Sequence, residues 1–143
     1  GMAALRIGVV LANKQLIKLL KKIASPYAIA QPCIDAACNA LVGDKLAQTQ
    51  LKMVRLKLQR QWLVASLQKL SLVKIVWPSA ANFVLVTFDQ PVFALCVAGG
   101  VLLRDMSDKI GIANTLRITV GTAKQNQVLI DLLEGLCKQN IYL

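Results

Sequence analysis

Hydrophobic and polar positions divide this chain into a helical first half and a second half in which short apolar runs alternate with helical patterns. Before residue 71, apolar residues mostly recur at helical spacing, which favours amphipathic helices. After it, apolar runs bounded by Pro, Gly or Asn are typical of strands. An apolar run near the start also predicts a strand. The predicted helices are 14–24, 32–41, 45–70, 91–98 and 124–139, and the predicted strands are 5–12, 72–77, 82–88, 101–104 and 116–120.

Several of these helices carry end signals. Asn13 is a predicted N-cap of the first helix, and Thr122 is a predicted cap of the last one. Pro26 ends the first helix, because the residue before a proline avoids the α conformation. Pro32 suits the first turn of the second helix. The order β-β-α-β-β-α after residue 72 predicts the fold class α/β (α+β), a small mixed or antiparallel sheet with helices on one face, preceded by long helices.

The apolar content is high. Hydrophobic residues make up 56% of the 143 residues, whereas about 45–50% is usual in a soluble domain. Either a membrane segment or apolar surface meant for a partner would explain the excess. A spanning helix needs about 20 consecutive apolar residues, and the richest stretch, 75–103, is broken by Pro78, Asp89 and Pro91. We therefore expect a cytoplasmic protein with no membrane partner, which forms a homodimer or otherwise self-associates through its apolar surface.

The net charge of +10 is concentrated in one region. Residues 14–74 hold 11 Lys/Arg and 2 Asp, so that their net charge is 11 − 2 = +9. Such a block occurs in proteins that bind nucleic acid or other polyanions. Lys14, Lys18, Lys21 and Lys22 form one helical stripe, however, and no aromatic residues are interleaved for base stacking. A solvated helix face is therefore preferred and nucleic acid is not expected as a partner, while a non-catalytic polyanion-binding module stays the alternative.

The chain lacks histidine, which excludes Ser-His and Cys-His nucleophiles and histidine-ligated metals within it. Its four cysteines, at 33, 38, 96 and 137, match no zinc spacing and are expected to be reduced and mostly buried. No glycine-rich phosphate loop is present. We predict no metal site and no catalytic residue within the chain.

Two arginines stand out as candidate ligands for an anion. Arg104 and Arg117 each follow a short apolar run that predicts a strand. A guanidinium held at a strand end can fork onto the oxygens of a carboxylate or phosphate. Salt bridges to Asp105 or Asp108 are the alternative interpretation of both arginines.

Short motifs along the whole chain resemble the C-terminal portion, including the small domain, of histidinol-phosphate aminotransferases. These are fold-type I enzymes that depend on pyridoxal phosphate. Each motif alone is weak, whereas the ordered set is specific. The motifs are Gly1-Met2-Ala3-Ala4-Leu5-Arg6-Ile7-Gly8, Ala12-Asn13-Lys14-Gln15, Pro26-Tyr27, Gln31-Pro32, Pro78-Ser79-x-x-Asn82-Phe83, Leu103-Arg104-Asp105 and Leu116-Arg117-Ile118-Thr119-Val120-Gly121-Thr122.

The resemblance implies roles for individual residues. Arg6 corresponds to the arginine that binds the cofactor phosphate, although by itself it would be interpreted as a surface charge on a strand edge. Arg117 corresponds to the arginine that binds the anionic end of the substrate, and Arg104 is implied to assist with the substrate phosphate. Tyr27 is implied to reach the active site of a partner subunit, while Asn82 is expected to shape a turn.

The resemblance also implies an activity and a division of the chain. The activity is amino transfer between glutamate and histidinol phosphate in histidine biosynthesis. Threonine-phosphate decarboxylase and aromatic aminotransferases are related alternatives, since Val9 and Ala28 depart from the usual family residues. Residues 1–24 are expected to be a remnant strand and helix of the large cofactor-binding domain, 25–71 linking helices, and 72–143 the small C-terminal domain.

The Schiff-base lysine is implied to lie before Gly1, outside the printed sequence. The loop that holds the cofactor ring and the acid that pairs with its nitrogen are implied to lie there too. Pyridoxal phosphate is therefore the expected cofactor of a full-length member, and the printed chain alone is expected to bind none and to be inactive. Whether this chain is itself an enzyme is left open.

Overall fold

The computed structural model describes residues 2–139. The chain divides into two compact units, Gly1–Lys52 and Met53–Leu143. The boundary falls inside the long helix α3 (Lys45–Leu67), which contributes residues to both units. The expected division at residues 24 and 71 follows a different criterion, the family's domain organisation, and it stays a prediction.

The first unit is helical. It contains a single 3-10 turn (Ala3–Leu5), α1 (Lys14–Ile23), α2 (Gln31–Ala40) and the start of α3. Asn13 caps α1 as predicted, since its side-chain oxygen accepts a hydrogen bond from the backbone N–H of Leu16 at 2.9 Å. Pro32 lies in the first turn of α2, also as predicted. The lysine stripe of α1 is exposed, as expected of a solvated face.

The predicted strand 5–12 is wrong. Residues 7–13 have no regular secondary structure, and Val9, Val10 and Leu11 are exposed. A strand needs a hydrogen-bonding neighbour, because an isolated extended segment leaves its backbone groups unpaired. Among residues 2–139 no strand pairs with this segment.

The second unit contains a four-stranded antiparallel sheet of order β1-β2-β4-β3, which confirms the predicted fold class. Its apolar core comes from one face of β2 and β4 together with helix side chains. Phe83 and Leu85, on the other face of β2, are half-buried. The elements after α3 are β1 (Val73–Val76), β2 (Phe83–Phe88), α4 (Phe93–Ala98), β3 (Arg104–Asp105), α5 (Ser107–Ile110), β4 (Thr115–Thr119) and α6 (Ala123–Gln139).

The chain departs from the predicted elements around β3. Of the predicted strand 101–104, only Arg104 lies in a strand, and the Val101 N–H instead closes the end of α4 on the Cys96 carbonyl at 2.8 Å. The short helix α5 was not predicted. It follows a turn in which Asp105 accepts hydrogen bonds from Ser107, and it ends at Gly111, which has a φ of 67°.

Two further expectations concerned the burial of the cysteines and the presence of a membrane-spanning helix. All four thiols are free, and Cys96 alone is fully buried, so the expectation of mostly buried thiols is wrong. Burial raises the pKa of the Cys96 thiol. Among the described residues, no helix combines the length and the apolar character that a membrane-spanning segment needs.

Candidate functional site

The structure brings Arg104 and Arg117 together. They are directly opposite each other in the antiparallel pair of β3 with β4. Directly opposite residues of such a pair project from the same face of the sheet, within about 4.5–5.5 Å at their Cβ atoms. Two like charges at this spacing repel each other, and an anion bound between them would relieve the repulsion.

The guanidinium of Arg117 lies over the ring of Phe83. The distance from its central carbon to the ring centroid is 5.1 Å. Leu85 is the residue of β2 directly opposite Arg117, so Phe83 is a diagonal neighbour on the same face. Both Phe83 and Arg117 are half-buried. The side chain of Arg117 is therefore supported on one side and still accessible.

The acid nearest to these arginines in sequence is used locally. One carboxylate oxygen of Asp105 accepts hydrogen bonds from the Ser107 hydroxyl at 2.7 Å and from the Ser107 N–H at 2.9 Å. These hydrogen bonds, the hydroxyl first, lower the pKa of the Asp105 carboxyl below its usual value. The contacts that the structure records for Asp105 thus support the turn before α5, and they differ from the salt bridge considered as an alternative.

The turn that follows β4 is fixed by a buried amide. Asn126 is only 2% exposed. Its side-chain oxygen accepts from the Gly121 N–H at 2.9 Å, and its amide group donates to the Gly121 carbonyl at 3.2 Å and to the side chain of Gln59 at 3.1 Å. A Cβ at Gly121 would lie 2.9 Å from the side chain of Gln125, which requires glycine here.

The predicted cap of the last helix is confirmed, and it belongs to a reciprocal pair. The Thr122 hydroxyl accepts from the Gln125 N–H at 3.3 Å, while the Gln125 side chain accepts from the Thr122 N–H at 2.9 Å. This is a capping box, and its Thr-x-x-Gln spacing is visible in the sequence. It begins α6 immediately after the strand that carries Arg117.

The loop before β2 is held by side chains that sequence reasoning missed. Arg60, on α3, donates from Nη1 to the Ala81 carbonyl at 2.7 Å. The Ser79 hydroxyl donates to the Phe83 carbonyl and accepts from the Ala81 N–H. Ser79 therefore helps to shape this turn, and the Asn82 carbonyl accepts from the Val120 N–H at 2.9 Å. The expected role of Asn82 in the turn stays a prediction. A serine after proline was a usable signal for the role of Ser79.

Arg6 and Tyr27 lie in the first unit, and their implied roles stay predictions. Both side chains are exposed, and both residues have a positive φ, 55° and 57° respectively. This conformation is uncommon for residues other than glycine. A guanidinium can bind the oxygens of a phosphate group, so the exposure of Arg6 is compatible with the role that the resemblance implies.

Other kinds of site find less support. No group of three or more potential metal ligands occurs among residues 2–139. An open groove of about 340 Å³ lies beside β4 and α6, but its lining includes no charged side chain. The face that carries Arg104 and Arg117 is therefore the better candidate for binding an anion.

Comparisons with known proteins place the chain in a family. It belongs to the class I and II aminotransferase family, whose sequence pattern matches residues 1–133. Members of this family depend on pyridoxal phosphate. The chain is 40% identical over 138 residues to histidinol-phosphate aminotransferase of Baumannia cicadellinicola subsp. Homalodisca coagulata, covering 95% of this chain and 38% of that protein. The resemblance seen in the sequence motifs is thereby confirmed.

Other similar proteins belong to the same kind of enzyme or to a related one. Histidinol-phosphate aminotransferase of Escherichia coli O9:H4 (strain HS) is 35% identical over 94% of this chain, which again spans 38% of that protein. The enzyme of the same name from Clostridium acetobutylicum has a similar fold, with a TM-score of 0.75 at 22% identity over 89% of this chain and 39% of the other. L-threonine-O-3-phosphate decarboxylase from Porphyromonas gingivalis has a TM-score of 0.75 at 26% identity, covering 90% and 40%.

Proposed function

We propose that this chain provides the substrate-phosphate site of a pyridoxal-phosphate-dependent aminotransferase that acts on histidinol phosphate and glutamate. The observation that supports it best is the cross-strand pair Arg104 and Arg117 on one face of the sheet. The chain spans about 38% of the length of the curated relatives it matches, so the activity of the whole protein belongs to the proposal.

The chemistry of the pair suits a phosphate ester. A phosphate monoester carries a charge of about −1.5 to −2 at neutral pH, and two guanidinium groups can match that charge while forking onto its oxygens. The relatives are named after two phosphorylated compounds, histidinol phosphate and L-threonine-O-3-phosphate. The phosphate is the group they share, so the proposed site would bind either one. The part of the substrate beyond the phosphate would be distinguished elsewhere.

The remaining residues have supporting roles in this proposal. Arg6 would hold the phosphate of the cofactor, and Tyr27 would contact the substrate bound by a second copy in a homodimer. The cofactor, when bound, supplies the electron sink, whereas protein groups supply binding and orientation. Arg117 and Arg104 would orient the substrate by its anionic end.

Removing the charge of Arg117 is expected to weaken phosphate binding by at least about tenfold, since hydrogen bonds to charged groups contribute about 1.5–3 kcal/mol. We would titrate the chain and its Arg117→Gln variant with inorganic phosphate and O-phosphoserine by calorimetry. Arg55→Gln is the matched control, because it removes one charge from an exposed position of α3. Equal weakening by both substitutions would mean general charge attraction and would contradict the proposed site.

We also propose that the printed chain does not form a Schiff base by itself. Its first lysine, Lys14, lies exposed on α1, where nothing distinguishes it from Lys18 or Lys21. Incubation with pyridoxal phosphate, reduction with borohydride and peptide mass analysis should show no stoichiometric adduct on one lysine. A single stoichiometric adduct would show that the chain builds its own cofactor site.

A further inference from the structure

We propose that Phe83 is a positioning residue for anion binding, because its ring holds the guanidinium of Arg117 in the orientation that receives the anion. The inference rests on the proposed function of Arg117. It gives Phe83 a role in the binding site that the family resemblance does not imply.

The contact has the geometry of a cation–π interaction. The guanidinium carbon of Arg117 is 5.1 Å from the centroid of the Phe83 ring, within the distance of about 6 Å at which a cation is attracted to an aromatic face. Phe83 pairs with Thr119 and Leu85 pairs with Arg117, so the ring and the guanidinium are diagonal neighbours on the same sheet face. Aromatic and long side chains reach each other across that diagonal.

The contact leaves the hydrogen-bonding groups of Arg117 available. A phenyl ring has no oxygen or nitrogen acceptor, so it does not compete with an anion for the N–H donors of a guanidinium. A salt bridge to a carboxylate would instead occupy them. The ring therefore limits the rotamers of the Arg117 side chain and leaves its N–H donors available to an anion. A binding group that is already held in its bound conformation loses less entropy when the anion binds, so the anion binds more tightly.

The position of the ring is itself fixed by the loop that precedes it. The Phe83 carbonyl accepts from the Ser79 hydroxyl, and the same hydroxyl accepts from the Ala81 N–H. Arg60 fixes the Ala81 carbonyl from α3 at 2.7 Å. The Pro78-Ser79-x-x-Asn82-Phe83 segment thus presents the ring at a defined place at the start of β2.

The ring contributes little to the apolar core. Phe83 belongs neither to the buried cluster nor to the partly buried side chains packed against it. The core-facing residues of β2 are its neighbours Val84, Val86 and Phe88. A side chain that is large, aromatic and outside the core, with a cation on its face, is better explained by that cation than by packing.

The test compares phosphate affinity and the arginine side-chain NMR signals of Arg117 in the full chain and its variants. In Phe83→Leu, we expect the ring-current shift of the Arg117 signals to disappear and phosphate to bind about two- to fivefold more weakly, as expected from the strength of exposed cation–π contacts. Phe83→Tyr keeps a ring and should restore both. In an Arg117→Gln background, Phe83→Leu should have no further effect on affinity, since its influence passes through Arg117.

The outcomes separate this inference from the proposed function. If Arg117→Gln weakens binding and Phe83→Leu does not, or if the loss from Phe83→Leu persists without Arg117, the positioning role is wrong and the anion site stands. If Arg117→Gln leaves affinity unchanged, the proposed function itself fails. Phe83→Met is a second non-aromatic variant, and loss of folding in both, seen by circular dichroism, would make the ring structural and overturn the inference.

Discussion

The Leu63→Ala variant is expected to lose about 2–5 kcal/mol of its free energy of unfolding, the usual cost of removing a fully buried leucine side chain. Leu63 has no exposed surface, and it lies in the core cluster with Leu67, Val84 and Leu133. The loss combines the lost burial of the side chain with the cavity that remains. Since native domains are stable by about 5–15 kcal/mol, this change alone takes a large part of the total. Urea unfolding followed by circular dichroism measures it.

The same helix provides a matched control. Leu58, also on α3, is 58% exposed, so Leu58→Ala should change the free energy of unfolding by no more than about 0.5 kcal/mol. Both variants make the same chemical change in the same helix and differ only in burial. Equal losses in the two variants would show that α3 does not pack on the sheet as the structure has it.

The Asn126→Leu variant is expected to lose about 2 kcal/mol or more, because it leaves polar groups without their partner. The backbone N–H and carbonyl of Gly121 and the side chain of Gln59 all bond to the Asn126 amide. Each unsatisfied buried group costs about 1–3 kcal/mol. The turn after Arg117 should loosen as well, which hydrogen exchange at the Gly121 amide would detect as faster exchange.

Gln127→Leu is the control for this second variant. Gln127 directly follows Asn126 in α6, is exposed, and donates to the Asp131 carboxylate on the surface at 2.7 Å. Replacing this exposed amide by leucine should leave both the stability and the exchange rate at Gly121 nearly unchanged. If the two variants behaved alike, the buried amide network would not be what holds the turn.

Local signals made much of the fold predictable. The first helix was predicted at 14–24 and is found at Lys14–Ile23. Its N-cap residue and the helical spacing of its apolar residues both indicated the same helix. The predicted strand 5–12 was wrong because an apolar run indicates only that a segment is favourable to bury. It does not indicate whether a neighbouring strand is present to pair with it. The helix α5 is four residues long, too short for a period to be recognised.

The anion-binding arginines of the candidate site were predictable from the sequence, whereas their pairing and the contacts that hold the surrounding loops were not. Arg104 and Arg117 could be found from the short motifs that contain them. The expected strand-end position holds for Arg104 and is wrong for Arg117, which lies at the centre of β4. Their register as opposite residues could not be found in this way, because register depends on pairing across the sheet. The supporting contacts are also distant in sequence. Arg60 and Ala81 are 21 residues apart, and Gln59 and Asn126 are 67 residues apart. No short motif contains both members of either pair.

The two edges of the sheet set limits on how copies of this chain can associate. An exposed edge strand is a template on which other chains can add strands and grow into fibrils. Here β3 has only two residues, both charged, and β1 has Lys74 at its centre and an irregular register beside it. Short, charged and irregular edges resist such growth. Addition of strands from other copies of the chain is therefore disfavoured at both edges of this sheet.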